Sequence, residues 1–354
     1  MTLLYIVPLL LALGLGPHTA AASNVAATEE NQDELVKFGQ SEEVTNFIDQ
    51  MVEKHHFEKA KLQAILAQVE YSSTAIRLMK PGPPGQPKNW QVYRARFVEP
   101  IRVNAGVRFW NDYADELERA EIQYGVPAEI IVGIIGIETI YGRNTGNFRV
   151  LDALTTLGFD YPATPTRMAR MAFFRSELEN ALLYARESNI DPWSLTGSYA
   201  GAIGWPQFMP SSIRAYGVDF DQDGKIDLQN SPADAIGSVA HYLSVHGWKR
   251  GHPIVFPATI PPSANNDQLW TSFIGQDLEA KYTVGALANA GVVPSPQTPT
   301  DLLYGLVDLQ NGTAATEYWL GTDNFFAITL YNRSFFYAMA VIELGRTVSA
   351  MRSR

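Results

Sequence analysis

The sequence predicts a mainly α protein (α+β) with a small β element that carries an EF-hand-like calcium loop. Three observations support this. Apolar residues recur at helical spacing through most of the 354 residues. Strand-like alternation is rare and short. One acidic run, Asp219–Asn230 (DFDQDGKIDLQN), matches the spacing D-x-D-x-D-G of a calcium loop. With 46% hydrophobic and 18% charged residues the chain is globular, and its length allows two or three lobes.

Taken in order, the first residues read as a secretory signal. The apolar run Leu3–Leu15 is shorter than the roughly 20 residues a membrane span needs. Ala20-Ala21-Ala22 offers a cleavage site before Ser23, although no Lys or Arg precedes the run. Residues 1–22 are therefore assigned to a signal and 23–40 to a linker. No cysteine is present, which excludes disulfides and a lipid-modified N-terminal Cys. An exported protein, soluble or only loosely associated with the membrane after signal cleavage, is the expectation, with an uncleaved anchor as the alternative.

Thr28 to Met79 alternates acidic and apolar groups, and Phe47-Ile48, Met51-Val52, Leu62, Ile65-Leu66 and Val69 fit one or two amphipathic helices. Lys80–Asn89 (KPGPPGQPKN) is a loop, because its prolines and glycines break helices. Helical periodicity returns over Trp90–Tyr124, with Phe97, Val107, Trp110, Tyr113, Leu117 and Ile122. Further helices are predicted over Asp152–Leu157, Phe173–Arg186, Asp234–His246 and Phe335–Met351. Thr196–Ser212 is a shaped loop rich in Gly, Ser and Pro, and 252–300 is irregular with a short helix or two.

Between these elements lies Val126–Tyr141 (VPAEIIVGIIGIETIY), apolar nearly all round and so a buried helix. Pro127 suits its first turn and Gly142 is a plausible stop. Glu138 falls in the last turn. Burial and the negative end of the helix dipole both disfavour its charged form and push its pKa upward. A carboxyl group kept protonated near neutral pH can serve as a general acid. A lone buried Glu can equally be a structural group satisfied by a partner.

Other chemistries lack their motifs. Net charge is −10 and no Lys/Arg cluster occurs, which argues against nucleic acid. His241 and His246 are five apart and cannot share a helix face as a zinc pair. No G-x-S-x-G elbow, P-loop or dinucleotide fingerprint is present, and no organic cofactor is expected. Aromatic residues abound, with 16 Tyr, 17 Phe and 7 Trp. Most such rings fill cores, but aromatic faces also pack on sugar rings. In Ser198–Ser212 (SYAGAIGWPQFMPSS) small residues allow close backbone approach to a ligand, and Gln207, Phe208 and Met209 offer an amide and two large soft side chains.

GIETIYG at Gly136–Gly142, GAIGWPQFMPSS at Gly201–Ser212, DAIGSVAHYL at Asp234–Leu243 and ITLYNRSFFYAMAV at Ile328–Val341 together resemble the lytic murein transglycosylase B family. The resemblance runs from about Glu34 to Arg352. It implies a lysozyme-like core over 126–212 and 320–352, a helical lobe at 41–125, an EF-hand-like lobe at 213–260 and an irregular or helical segment at 261–319. It implies that Glu138 is the sole catalytic acid/base, that Ser198 and Gln207 contact the substrate, and that Tyr93, Tyr242, Tyr331, Asn332 and Tyr337 line the groove. The stretch Tyr161–Phe174 departs from the family pattern, leaving Arg167 and Arg170 as candidate sugar-binding arginines; Trp205-Pro206 is a milder departure.

The implied reaction needs one carboxyl where ordinary glycosidases need two. Glu138 protonates the bond between N-acetylmuramic acid (MurNAc) and N-acetylglucosamine (GlcNAc). The substrate's N-acetyl oxygen stabilises the developing cation. Ionised Glu138 then takes the proton of the muramic 6-hydroxyl, which closes on C1 to a 1,6-anhydro sugar. Peptidoglycan glycan strands are the expected partner, with other cell-wall enzymes as a further class, and a monomer is expected. A muramidase that uses water, and a glycan-binding protein without turnover, remain alternatives.

In the acidic loop, Asp219, Asp221 and Asp223 would supply side-chain oxygens, Gly224 the sharp turn, Lys225 its carbonyl and Asp227 the ninth position. Asn230 replaces the usual bidentate Glu at the twelfth, and Asp234 is the candidate substitute. A structural calcium of modest affinity is expected, the alternative being a solvated acidic turn.

Overall fold

Helix starts are set by local capping. In the computed structural model, which describes residues 41–82, 85, 87–261, 269–274 and 278–353, the signal and linker assignments fall outside the described residues. Three helices come first: α1 (Glu42–His55), capped by Ser41, α2 (Lys59–Leu66) and α3 (Ser73–Met79). The one or two expected helices are three because His56 enters the left-handed region (φ 57°) and ends α1. Next are α4 (Trp90–Phe97), α5 (Pro100–Asp112), α6 (Ala114–Tyr124) and α7 (Ala128–Thr139). Glu99 accepts from the amides of Ile101 and Arg102, and Pro100 fits the first turn of α5.

Strand β1 (Phe148–Arg149) leads to α8 (Val150–Phe159) and the long α9 (Arg167–Glu187). Strand β2 (Thr196–Gly197) pairs with β1. After α10 (Pro210–Tyr216) and α11 (Pro232–Val245) come β3 (Val255–Thr259), β4 (Tyr282–Thr283), α12 (Val284–Asn289) and β5 (Val293–Pro294). Two long strands, β6 (Leu303–Asn311) and β7 (Ala314–Gly321), precede α13 (Asp323–Tyr331) and α14 (Phe335–Arg352). Among the described residues no single helix is long and apolar enough to cross a membrane.

The described residues form two compact units, one from 87–144 and 216–353, the other from 41–82 and 145–215. This division differs from the expected one, since it cuts both the 41–125 lobe and the 126–212 core. In the second unit α8 is buried at all ten residues and lies against α9. In the first, α7 is the central element, buried everywhere except Glu129. It meets α14 backbone to backbone. A Cβ on Gly133 would stand 2.3 Å from the Val341 carbonyl oxygen, and one on Gly345 would stand 2.0 Å from that of Glu129. No side chain fits at either position.

The first unit also holds an antiparallel five-stranded sheet of order β4-β6-β7-β3-β5, packed around Leu287, Tyr304, Leu306 and Leu320. This corrects the expectation of an irregular or helical 261–319. The core residues Gly305–Leu309 follow one another with little alternation, which hides the strand period of two. The turn did carry a signal, because Gly312 (φ 62°) opens the two-residue loop between the paired Asn311 and Ala314. A second correction concerns the acidic loop. It joins α10 to α11, so two helices flank it and the β element does not carry it.

Candidate active site

Twelve residues of α7 place Glu138 one position before the helix end. The helix stops at Thr139, earlier than the expected Gly142, because Ile140 (φ 52°), Tyr141 (φ 56°) and Gly142 (φ 78°) are successively left-handed. For a β-branched residue such as Ile140 this costs on the order of 1–2 kcal/mol. Surrounding contacts hold it. The amide of Ile140 donates to the Gly136 carbonyl (3.2 Å), and the buried Tyr141 ring stacks on Phe109 at 5.0 Å. Arg102, itself buried, donates from Nε to the same Gly136 oxygen (2.9 Å).

Glu138 is 8% exposed. Burial lifts its pKa to about 7, against the opposing effect of a hydrogen bond from the Tyr337 hydroxyl to Oε1 (2.6 Å). At neutral pH the carboxyl therefore exists in both protonation states. Tyr337 stacks on Tyr331 (6.3 Å, 13°), and Tyr242 meets Tyr331 edge-on at 5.0 Å. The Tyr242 hydroxyl donates to the Leu330 carbonyl, and its ring stacks on His246 at 3.9 Å. Tyr93 sits against Phe97 and Phe336. All four phenols are pushed up, first by burial, and Glu138 adds to this for Tyr93, Tyr331 and Tyr337. They stay neutral and keep their protons for donation. Asn332, next to Tyr331, has a buried Oδ1 that accepts no hydrogen bond among the described residues. Glu138, Tyr93, Tyr242, Tyr331, Asn332 and Tyr337 all belong to the first unit.

Ser198, Gln207, Phe208 and Met209 belong to the second unit. The Ser198 hydroxyl accepts from the amide of Ala202 (3.1 Å). Gln207 has φ 50°, and its Nε2 donates to the carbonyls of Thr145 (3.0 Å) and Gly204 (2.9 Å). Its donors thus fix the loop. Phe208 is 3% exposed, as buried as Tyr242, and bridges to Ile203 through its backbone. Met209 is half-buried. Arg167 donates to the Tyr161 carbonyl and to Asp160, while Arg170 donates to the Tyr161 hydroxyl and lies over its ring.

In the acidic loop, oxygens of Asp219, Asp221 and Asp223 lie within 4.8 Å of one another, a spacing that fits a cation. Gly224 has φ 91°, as the turn requires. Lys225 donates its amide to Asp223, and Asp227 accepts from Gln229 and from Asn230. Asp234, the candidate for the place that Asn230 leaves, is buried beneath the loop, where one oxygen accepts from the amides of Phe220 (2.7 Å) and Asp221 (3.4 Å) and the other from that of Asp227 (2.8 Å).

Two functional-looking groups escaped the sequence reading. Arg102 sits on an ordinary amphipathic pattern, and only its contact with Gly136 reveals it. Glu177 of α9 is another buried carboxylate, pushed up by burial, that holds the amide and hydroxyl of Ser211 at the start of α10. No local signal distinguishes it from the other acids of α9.

The transglycosylase SLT domain family matches residues 39–346. The membrane-bound lytic murein transglycosylase B of Escherichia coli K12 is 44% identical over 323 residues, covering 89% of this chain and 85% of that protein. The soluble lytic transglycosylase SltB1 of Pseudomonas aeruginosa is 43% identical with a TM-score of 0.79, over 88% of this chain and all of that one. The Escherichia coli lytic transglycosylase Slt35 in complex with calcium is 42% identical with a TM-score of 0.78, over 93% and 100%. With this coverage the chain belongs to the lytic murein transglycosylase B family, the SLT-domain lytic transglycosylases of peptidoglycan.

Proposed function

We propose that Glu138 alone performs the acid and base steps of peptidoglycan cleavage in this chain. The observation that carries the reading is a buried carboxyl lifted to about 7 and held by one phenol. Its two perturbing influences are burial and Tyr337; no second carboxylate is among them. Protonated Glu138 donates to the oxygen between MurNAc and GlcNAc as the C1–O bond breaks. The muramic O6 then bonds to C1 and passes its proton to ionised Glu138, which restores the acid. Tethering the nucleophile to the reacting sugar gives it an effective concentration that bulk water lacks. In the first unit Tyr93, Tyr242, Tyr331, Tyr337 and the Asn332 Oδ1, which accepts no hydrogen bond among the described residues, are the residues that would meet sugar; in the second unit the substrate contacts are Ser198, Gln207, Phe208 and Met209.

Calcium is the second part of this reading. Asp219, Asp221 and Asp223, with the Lys225 carbonyl, Asp227 and Asp234 as the candidate for the place that Asn230 leaves, would hold it in a structural role, supported by the spacing of the three aspartates and by the calcium complex of Slt35. The place of action is the periplasm, on glycan strands, as a monomer. Mass spectrometry of the products from purified sacculi tests the reaction. Muropeptides lacking a reducing end and lighter by one water are expected; a dominant hydrated product would make the chain a muramidase.

A further inference from the structure

Tyr93 is carried by α4, a helix of only eight residues. Helices this short are marginal in water, so something outside α4 must hold it. Trp90 is its one buried residue. Its start is held by the β6–β7 hairpin of the same unit. The Gly312 amide donates to the Lys88 carbonyl (2.9 Å), and Asn89 bridges to Asn311. Asn311 Oδ1 accepts the amide of Gln91 (3.0 Å), one of the N–H groups that the first turn of a helix leaves without an internal partner. Asn311 is 6% exposed, and its Nδ2 donates to the Ala315 carbonyl (3.1 Å) and to Glu317 (3.2 Å). Glu317 also receives the side-chain amide of Gln91. One turn on, Arg94 pairs with Glu343 of α14, whose Phe336 packs on both Trp90 and Tyr93.

The geometry points to Asn311 as a positioning residue that acts through Tyr93, which makes the tip of the small sheet part of the glycan-binding machinery. Asn311 touches no reacting atom. It fixes the first turn of α4, and hence where the Tyr93 ring stands. The inference rests on the proposed placement of Tyr93 against the sugar. Misplacing a substrate-contacting group by about 1 Å can cost on the order of a hundredfold in rate. The loss here should appear mainly in KM, because Tyr93 binds and does not transfer protons.

A double-mutant cycle on a soluble peptidoglycan tetrasaccharide tests this. Asn311→Ala should raise KM about tenfold with kcat within about twofold, and Tyr93→Ala should do at least as much. Combining them should be no worse than Tyr93→Ala alone. The melting temperature, by contrast, should fall by the same amount in both backgrounds, as for any lost buried hydrogen bond. If the activity losses multiply, Asn311 does not act through Tyr93 and the inference fails while the site stands. If Tyr93→Ala alone leaves KM and kcat unchanged, the placement of Tyr93 fails and the inference with it. Should Asn311→Ala not fold, Glu317→Ala weakens the same anchor and runs through the same cycle, with a smaller KM rise that must again vanish without Tyr93.

Discussion

Glu138 and Asp234 are both buried carboxyls of one unit, 8% and 1% exposed, yet they are used in opposite ways. Burial pushes both up. Asp234 meets three backbone amides that favour its charged form and bind it to the loop above. Glu138 meets one phenol, and burial is the largest influence on both carboxyls. What differs is the partners: three amides tie Asp234 to the backbone of its loop, whereas Glu138 has a single side-chain donor.

The comparison breaks first at Glu138. Glu138→Gln keeps the shape but cannot exchange protons, and turnover of sacculi should fall by about 10⁴-fold, since one group does both proton transfers. Wild-type clearance by the variant would remove Glu138 from the mechanism. Asp234→Ala should do the reverse. It strands three amides in the interior, at a cost of about 3 kcal/mol or more. Melting should drop by several degrees while activity at low temperature stays within a fewfold; a catalytic loss with unchanged melting would invert the two roles.

The pH dependence of stability sharpens the contrast. An unfolded Glu138 titrates near the ordinary 4.5 and the folded one near 7. Between those values the folded state holds a proton that the unfolded state has lost, so stability from this group declines as pH rises through the window and is flat above it. Gln does not titrate. The stability of Glu138→Gln relative to wild type should therefore grow from pH 4 to pH 8, by up to about 3 kcal/mol. A difference independent of pH would mean an ordinary carboxyl.

The smallest effect is calcium over the Asp234 loop. Binding to the folded state adds ~2.7 kcal/mol at a hundredfold excess over Kd, and the Asn230 position calls for millimolar ion. Melting with calcium, magnesium and chelator should rank calcium first. Asp219→Ala with Asp223→Ala should erase the response; identical curves from metal-free protein would leave only an acidic turn.

How far the sequence reveals these parts follows from their range. Glu138 was legible because one charge in an apolar run is a local anomaly, and Asp219, Asp221 and Asp223 because their spacing is local too. Asp234 is legible only as a candidate by its position in sequence; the three amides that converge on it become visible only in the fold. The β6–β7 strands read as irregular because burial on both faces removes the alternation. The boundary between units escaped because each is built from two stretches far apart in the chain.

The hydrogen bond between Tyr337 and Glu138 joins residues 199 positions apart. Contacts of such span form late, after the entropy of closing the loop has been overcome. The proton chemistry of Glu138 thus depends on two distant stretches of chain, because α7 carries the carboxyl and α14 the phenol that holds it.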